Sequence, residues 1–258
     1  MQIQKIDNYN RNVNFKAWIR RVDKINICGQ KILSHCNTTC FFRPDFGWEK
    51  ATKFIIEKYK DLPKVNVYNY GCSNGSEIYS FLMYLESNYG ENILNKFSPI
   101  IAKDFDNFAI EVAKKGILSA NTEELNNINK YTHNKFLNYF DIDKEFSFKN
   151  DVIIKPKKNL SDKVFFETAD ILKDYKNIKP NNSIVFARNF WIYLSDEDRK
   201  ELAKNLYNHL GENSLLILGS HDNHQNYQNT FRSPLNMLKI AGFEQLDPLK
   251  LDTYIFTK

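Results

Sequence analysis

Val65-Asn-Val-Tyr-Asn-Tyr70, then Gly71-Cys-Ser-Asn-Gly75, then the run from Ser76 to Asn88 decide the fold. The first six residues alternate and are rich in β-formers, which predicts a strand. The two glycines bracket a tight turn. Ile78, Phe81, Leu82 and Leu85 then recur at helical spacing, which predicts a helix with one apolar face. A strand that passes through a glycine turn into a helix is the opening unit of a parallel α/β sheet.

The pattern continues downstream. Pro99-Ile-Ile-Ala102 reads as a short buried strand ending at Lys103-Asp104-Phe105-Asp106, and a helix from about Asn107 closes at Gly116. Val164 to Thr168, Ser183 to Ala187 and Leu215 to Gly219 read as further core strands. Ser195 opens a helix with acidic residues at its positive end; Leu202, Leu206 and Leu210 form its stripe and Gly211 its cap. Leu235 to Gly242 reads as a last helix and Thr253 to Phe256 as a last strand. Phe146, Phe148, Val152 and Ile154 predict a small antiparallel β insertion at about 141–163, with Lys155-Pro-Lys-Lys158 as its turn. Upstream, Phe15, Trp18, Ile19, Val22 and Ile25 fit one helical face, and Trp48, Ile55 and Tyr59 a second helix ending before Pro63. The expected organisation is a short helical N-terminal segment over 1–60 and a main domain over 61–258. That domain is a mostly parallel central sheet with helices on both faces.

Composition bounds the function. The 258 residues are 42% hydrophobic and 26% charged, as in an ordinary soluble globular protein. Twenty Phe, 14 Tyr and 3 Trp supply ample surface to bury, which argues against disorder. No apolar run approaches the roughly 20 residues that span a bilayer. Met1-Gln-Ile-Gln-Lys-Ile-Asp7 lacks the apolar core of a secretory signal, so a cytoplasmic address is expected. The net charge of +5 comes mostly from lysine, with no dense basic stripe interleaved with aromatics, so no nucleic-acid partner is expected. An acidic protein surface remains a fitting partner. The four cysteines, Cys28, Cys36, Cys40 and Cys72, are expected to be reduced thiols. His35, Cys36 and Cys40, with Cys28 upstream, can be read as zinc ligands, but no C-x-x-C pair exists and no metal is expected.

Ligands of such a sheet bind at the carboxyl ends of its strands, and three features collect there. The Gly71–Gly75 turn lets backbone approach a ligand closely, although a tight turn also needs glycine for structure alone. It is neither G-x-G-x-x-G nor followed by G-K-[ST], which disfavours dinucleotide and ATP phosphate cradles. Asp104 ends the next strand, where a carboxylate can accept both hydroxyls of a ribose; alternatively Asp104 or Asp106 caps the following helix. Arg188-Asn189 leave a buried strand and need partners, in a site or in a structural ion pair. Tyr193 follows in an aromatic run.

Taken in order, these segments resemble the CheR-type family of S-adenosylmethionine-dependent protein-glutamate methyltransferases, which methylate chemotaxis receptors. Asn37-Thr-Thr-Cys-Phe-Phe-Arg43 is similar to the family's N-x-T-x-F-F-R, and Gly71-Cys-Ser-Asn-Gly-Ser-Glu-Ile-Tyr-Ser80 to its G-C-S-x-G-E-E-P-Y-S. Ala102-Lys-Asp-Phe-Asp106 resembles A-x-D-I-D, and Tyr139-Phe140 resembles Y-F. Val164 to Leu172 resembles V-x-F-x-x-x-N-L-L, and Phe186-Ala-Arg-Asn-Phe-Trp-Ile-Tyr193 resembles F-C-R-N-V-x-I-Y. Gly219-Ser-His-Asp222 stands where the family has G-H-S-E. The resemblance runs from about Asn37 to Asp222.

It implies a Rossmann-like class I methyltransferase fold that binds S-adenosylmethionine and releases S-adenosylhomocysteine. Asn37, Thr39 and Arg43 would lie over the methionine end, Arg43 near its carboxylate or the substrate's. Gly71 would line the cofactor and Glu77 would bind its amino-acid portion. Asp104 would hold the ribose, and Asp170 and Ile171 would flank the adenine. Arg188 and Asn189 would line the site, and Tyr193 would stand near the methyl group. Arg43 and Tyr193 are the expected catalytic residues, and the implied acceptor is an acidic protein such as a chemoreceptor's cytoplasmic helix, with possible peptide docking on the β insertion.

The departures are Ser76 for the first acidic residue of the glycine motif, Ile78 for its proline, Asp170 for Asn and Trp191 for an aliphatic residue. About 36 residues precede the Asn37 motif, fewer than the family usually carries, which bears on receptor docking. Two rival expectations follow: the same chemistry on a different protein or small-molecule acceptor, and a non-catalytic S-adenosylmethionine-binding scaffold.

Overall fold

A computed structural model describes residues 21–25, 31–35, 39–148, 151–223, 233–246 and 254–258. Its strands are β1 (Arg21–Ile25), β2 (Lys31–His35), β3 (Asn66–Tyr70), β4 (Ile100–Asp104), β5 (Leu118–Asn121), β6 (Phe140–Phe148), β7 (Asp151–Pro156), β8 (Val164–Thr168), β9 (Ser183–Phe186), β10 (Leu215–Leu218), β11 (Glu244–Leu246) and β12 (Tyr254–Thr257). Its α-helices are α1 (Trp48–Lys58), α2 (Ser76–Tyr89), α3 (Glu91–Phe97), α4 (Asn107–Lys115), α5 (Thr122–Tyr131), α6 (Phe136–Tyr139), α7 (Lys158–Ser161), α8 (Ile171–Asp174), α9 (Asp196–His209) and α10 (Pro234–Ala241).

Seven strands form the central sheet in the order β11-β12-β10-β9-β3-β4-β8. Strands β8, β4, β3, β9 and β10 are mutually parallel, and β12 and β11 add antiparallel at one edge. The mostly parallel sheet follows from its composition. Every residue of β9 and of β10 is buried, as strands covered on both faces require. Side-chain alternation sends Val67, Ile184, Phe186, Leu215 and Ile217 into one core with α1 and α2. Tyr68, Tyr70, Val185, Leu216 and Leu218 enter a second core with α9 and α10.

From β3 the chain builds outward through β4 to β8, then returns to place β9 on β3's other side. That reversal opens a crevice at the carboxyl ends of β3 and β9. Gly75, between β3 and α2, has φ +89°, and a Cβ there would stand 2.7 Å from the Phe166 ring, so the turn accepts only glycine.

The expected β insertion is present, but it is larger than the sequence suggested. It is a three-stranded sheet, β5-β7-β6, with an irregular register between Asp143 and Phe148. Lys155 and Pro156 are not a turn: they pair with Asp141 and Phe140 at the end of β7, and α7 starts at Lys158. The N-terminal expectation also changes. Phe15, Trp18 and Ile19 lie outside the described residues, but Val22 and Ile25 belong to β1, which pairs antiparallel with β2. Period-2 and period-3.6 readings compete over so short an apolar set, and β-branched residues tip Arg21–Ile25 to a strand.

A buried ion pair ties the sheet to α8. The Lys103 ammonium, 6% exposed, lies 2.6 Å from Asp174 Oδ2 and 3.3 Å from Glu167. The Tyr70 hydroxyl donates to the same Asp174 oxygen at 2.5 Å. Burial pushes the Asp174 carboxyl up, but hydrogen bonds from Lys103 and Tyr70 outweigh it and hold it below the usual range. Lys103→Met is expected to cost about 2–3 kcal/mol, less than a sealed pair, because Asp174 keeps access to water. Urea unfolding at pH 7 checks this, and a loss below ~0.5 kcal/mol would remove the network from the stability account.

Candidate functional site

The Thr39–Arg43 stretch is pinned beside α2 and α5 by two phenylalanines. Phe41 and Phe42 are buried, and their backbone N–H groups donate to Glu124 Oε1 and Ser80 Oγ, each at 2.9 Å. Phe42 meets Trp48 edge-on and stacks on Tyr131, and it takes a left-handed φ of +48°. The Trp48 indole donates to the Arg43 carbonyl at 2.9 Å. Arg43 is thereby held at the crevice, its Nε 3.4 Å from Asp45 and its Nη2 3.2 Å from the His221 ring. Thr39 is half-buried, and Asn37 lies outside the described residues.

Arg188 is the centre of the charge cluster. Its side chain, 1% exposed, pairs with Glu77 through Nη1 and with Asp45 through Nη2 at 2.7 Å. The guanidinium also lies 5.0 Å from the centroid of the Phe46 ring. Asn69 donates to the other Glu77 oxygen at 3.0 Å. Asp45 further accepts from the Ser220 hydroxyl at 2.8 Å. Burial raises the Asp45 carboxyl, but Arg188 and Arg43 more than offset it and leave it below the usual range. Arg188 is thus ion-paired, with the candidate residue Glu77 and with Asp45. Its Nε and Asn69 Oδ1 are buried without a hydrogen-bond partner, the kind of unsatisfied polar atom that concentrates at functional sites.

Asp104 ends β4 beside the glycine turn. Its Oδ2 accepts from the Ser73 N–H at 2.8 Å and its Oδ1 from the Asp106 N–H at 2.9 Å. Asp106, not Asp104, caps α4 by accepting from the Phe108 N–H. Asp104 is no helix cap; it stands at the end of β4 beside the turn, its carboxyl raised by burial. Asp170 caps α8 through the Leu172 N–H at 3.0 Å, and Ile171 is buried behind it. The Ala169 N–H donates to the Asp104 carbonyl at 2.9 Å, which sets Asp170 and Asp104 at neighbouring strand ends.

Gly71 opens the turn at φ +72°. Asn189 follows Arg188 in left-handed conformation, its Nδ2 3.5 Å from Asp45. Tyr193 stands apart from this network, 37% exposed in the short 3-10 turn Trp191–Tyr193. The structure thus brings Arg43, Glu77, Arg188 and Asn189 together, adds Asp104 and Asp170 along the same edge, and leaves Tyr193 at the rim. Sequence reasoning missed Asp45 and the role of Asp222. The signal for Asp45 was a carboxylate set among Phe41, Phe42 and Phe46 beside Arg43.

The donor set suits the expected cofactor. Carboxylates at Glu77 and Asp45 offer acceptors for the ammonium of an amino-acid end. Asp104 offers acceptors for ribose hydroxyls, and Asp170 offers one for an adenine amino group. Among the described residues no helix is long and apolar enough to cross a membrane.

The family model for the CheR methyltransferase, SAM binding domain, matches residues 37–237. A chemotaxis protein methyltransferase of Borreliella burgdorferi is 25% identical over 232 residues, covering 85% of this chain and 75% of that protein. Chemotaxis protein methyltransferase 2 of Vibrio cholerae is 24% identical, covering 71% of this chain and 61% of that protein. Among solved structures, a TehB-like SAM-dependent methyltransferase from Corynebacterium glutamicum is 13% identical with a TM-score of 0.41, covering 80% of this chain and 85% of that one. With motifs, strand order and a family match over most of its length in agreement, the chain belongs to the CheR methyltransferase family and carries its S-adenosylmethionine-binding domain.

Proposed function

We propose that this protein transfers a methyl group from S-adenosylmethionine to a glutamate side chain of an acidic protein in the cytoplasm, a chemotaxis receptor being the fitting acceptor. The observation that carries this reading is the Arg43 guanidinium, 15% exposed and held over the Asp45–Arg188–Glu77 cluster. It offers a cation where an acceptor carboxylate would enter. S-adenosylmethionine, when bound, supplies an already activated methyl group. A carboxylate is ionised near pH 7, so the chain's residues need no strong general base. Glu77 and Asp45 hold an ammonium, Asp104 holds the ribose, Arg43 places the acceptor and Tyr193 borders its path. Their contribution is alignment and exclusion of water. The β insertion, with edges at β5 and β6, offers peptide docking by strand addition.

Incubation of the protein with methyl-labelled S-adenosylmethionine and receptor cytoplasmic fragments tests the reading. Label released as methanol in alkali is expected of a glutamyl ester. A base-stable product points to another acceptor, and no transfer despite cofactor binding points to a scaffold. Asp104→Ala is expected to weaken S-adenosylhomocysteine binding at least ~10-fold in calorimetric titration, since the ribose loses a buried acceptor. Unchanged affinity would remove Asp104 from the cofactor site.

A further inference from the structure

Asp222 lies in the turn Ser220–Asn223 that follows β10, and it is wholly buried. Three backbone donors converge on its carboxylate. The Asn189 N–H donates to Oδ2 at 2.6 Å and the Gly219 N–H to the same oxygen at 3.0 Å. The Trp191 N–H donates to Oδ1 at 3.0 Å. One side chain therefore joins the ends of β9 and β10, the two strands on one side of the crevice. The corner it holds is tight. Asn189 sits at φ +63°, a conformation costly for a residue with a Cβ. The Asn189 Oδ1 accepts from the His221 N–H at 3.0 Å. A Cβ on Gly219 would stand 2.1 Å from that same oxygen, so glycine lets the Asn189 amide lie against the β10 end.

We propose that Asp222 is a positioning residue for the cofactor: its buried carboxylate locks the Arg188–Trp191 corner and so aims Arg188 and Asn189 into the site. It touches neither cofactor nor acceptor itself. The inference rests on the cofactor site described above. An ionised carboxylate accepts three donors better than a protonated one, so the lock depends on charge. Burial raises the Asp222 carboxyl to about 7, with the three N–H groups and Arg188 pulling against it.

Among the described residues the groups facing it are few. Arg188 comes from the β9 end, with Asp45 and Glu77 beyond it. His221 precedes it and meets Arg43. α10, packed on this turn, buries only Pro234, Leu235, Met237 and Leu238. From β12, the Tyr254 hydroxyl accepts from Asn223 at 2.8 Å.

Two pH dependences of opposite sign follow. The folded state binds the extra proton between about pH 4 and 7, so this group's contribution to stability falls as pH rises through that window. Cofactor-corner geometry improves over the same rise, as the carboxylate ionises. A residue that merely supports the fold would move both readouts the same way.

Calorimetric titration with S-adenosylhomocysteine from pH 6 to 8 tests this, beside thermal melts of the protein alone. Wild-type affinity is expected to strengthen several-fold toward pH 8. Asp222→Asn is expected to bind at least ~10-fold more weakly at pH 8 with that slope removed, while its melting temperature rises relative to wild type as pH goes from 5 to 8. Asp222→Glu, which keeps the charge, is expected to keep the slope. His221 and Arg43 are unchanged in every variant, so the differences between variants isolate Asp222. A wild-type affinity flat across pH 6–8 overturns the proposal without any variant. So does an Asp222→Asn protein that binds within twofold of wild type. A wild type that does not bind at all fails the cofactor reading, and this one with it.

Discussion

Replacing Arg188 with methionine is expected to cost about 3–5 kcal/mol of folding stability and to abolish measurable S-adenosylhomocysteine binding. The size follows from what the substitution leaves behind. The guanidinium is 1% exposed, and its two carboxylate partners, Asp45 and Glu77, are 12% and 13% exposed. Methionine fills much of the volume but takes the shared cation from two largely buried carboxylates. By contrast, the Lys60–Glu57 pair, 58% and 70% exposed, is a surface pair whose loss matters little. The pH dependence has a definite sign. Asp45's lowered folded pKa contributes stability above its unfolded pKa, and that contribution is lost as pH falls through the folded value. Arg188 supplies much of the lowering. The stability gap between wild type and Arg188→Met is therefore expected to narrow as pH drops from 7 toward 3. Urea unfolding at both ends of that range reads it. A loss below ~1 kcal/mol with binding intact would mean that the cluster is neither a keystone nor part of the site.

Much of this fold is legible in the sequence, and the reasons are particular. β9 and β10 read directly because strands buried on both faces are continuous apolar runs. α4 reads because Asp106 caps it and Gly116, at φ +62°, stops it. β5 and β11 escape notice. Leu118-Ser-Ala-Asn and Glu244-Gln-Leu are too short and too polar to carry a period, and only pairing with β7 and β12 makes them strands.

The site divides in the same way. Asp104, Glu77 and Arg188 each sit at a strand end or helix start that local pattern can locate. Their coupling is not local. Arg188 meets Asp45 across 143 residues and Glu77 across 111, and no single-sequence signal links them. Asp222 shows the same limit. Its position in the Gly219–Asp222 motif is visible, but three backbone N–H groups as partners leave no trace in side-chain chemistry.

Arg43→Ala is expected to lower methyl-transfer turnover by about 10²–10³-fold while changing S-adenosylhomocysteine affinity by less than ~5-fold. The separation of the two readouts rests on what stays in place. Phe41 and Phe42 anchor the backbone, and the Arg43 carbonyl is held by the Trp48 indole, so alanine at 43 leaves the segment where it was. Asp45 keeps Arg188 at 2.7 Å and the Ser220 hydroxyl at 2.8 Å, so the cofactor end of the cluster keeps its order. What disappears is the cation at the mouth. An acceptor carboxylate then arrives without a fixed orientation, and misplacement of about an ångström is enough for a ~10²-fold loss. The grip must also be moderate, because stabilising the acceptor's ground state too strongly would slow transfer; sharing the guanidinium with Asp45 tempers it. Arg43→Lys separates charge from shape: a planar fork that orients a carboxylate is not replaced by an ammonium, so lysine is expected to recover only part of the turnover. If affinity for S-adenosylhomocysteine instead falls as far as turnover does, Arg43 serves the cofactor's own carboxylate, and the acceptor must be positioned from the Tyr193 side of the crevice.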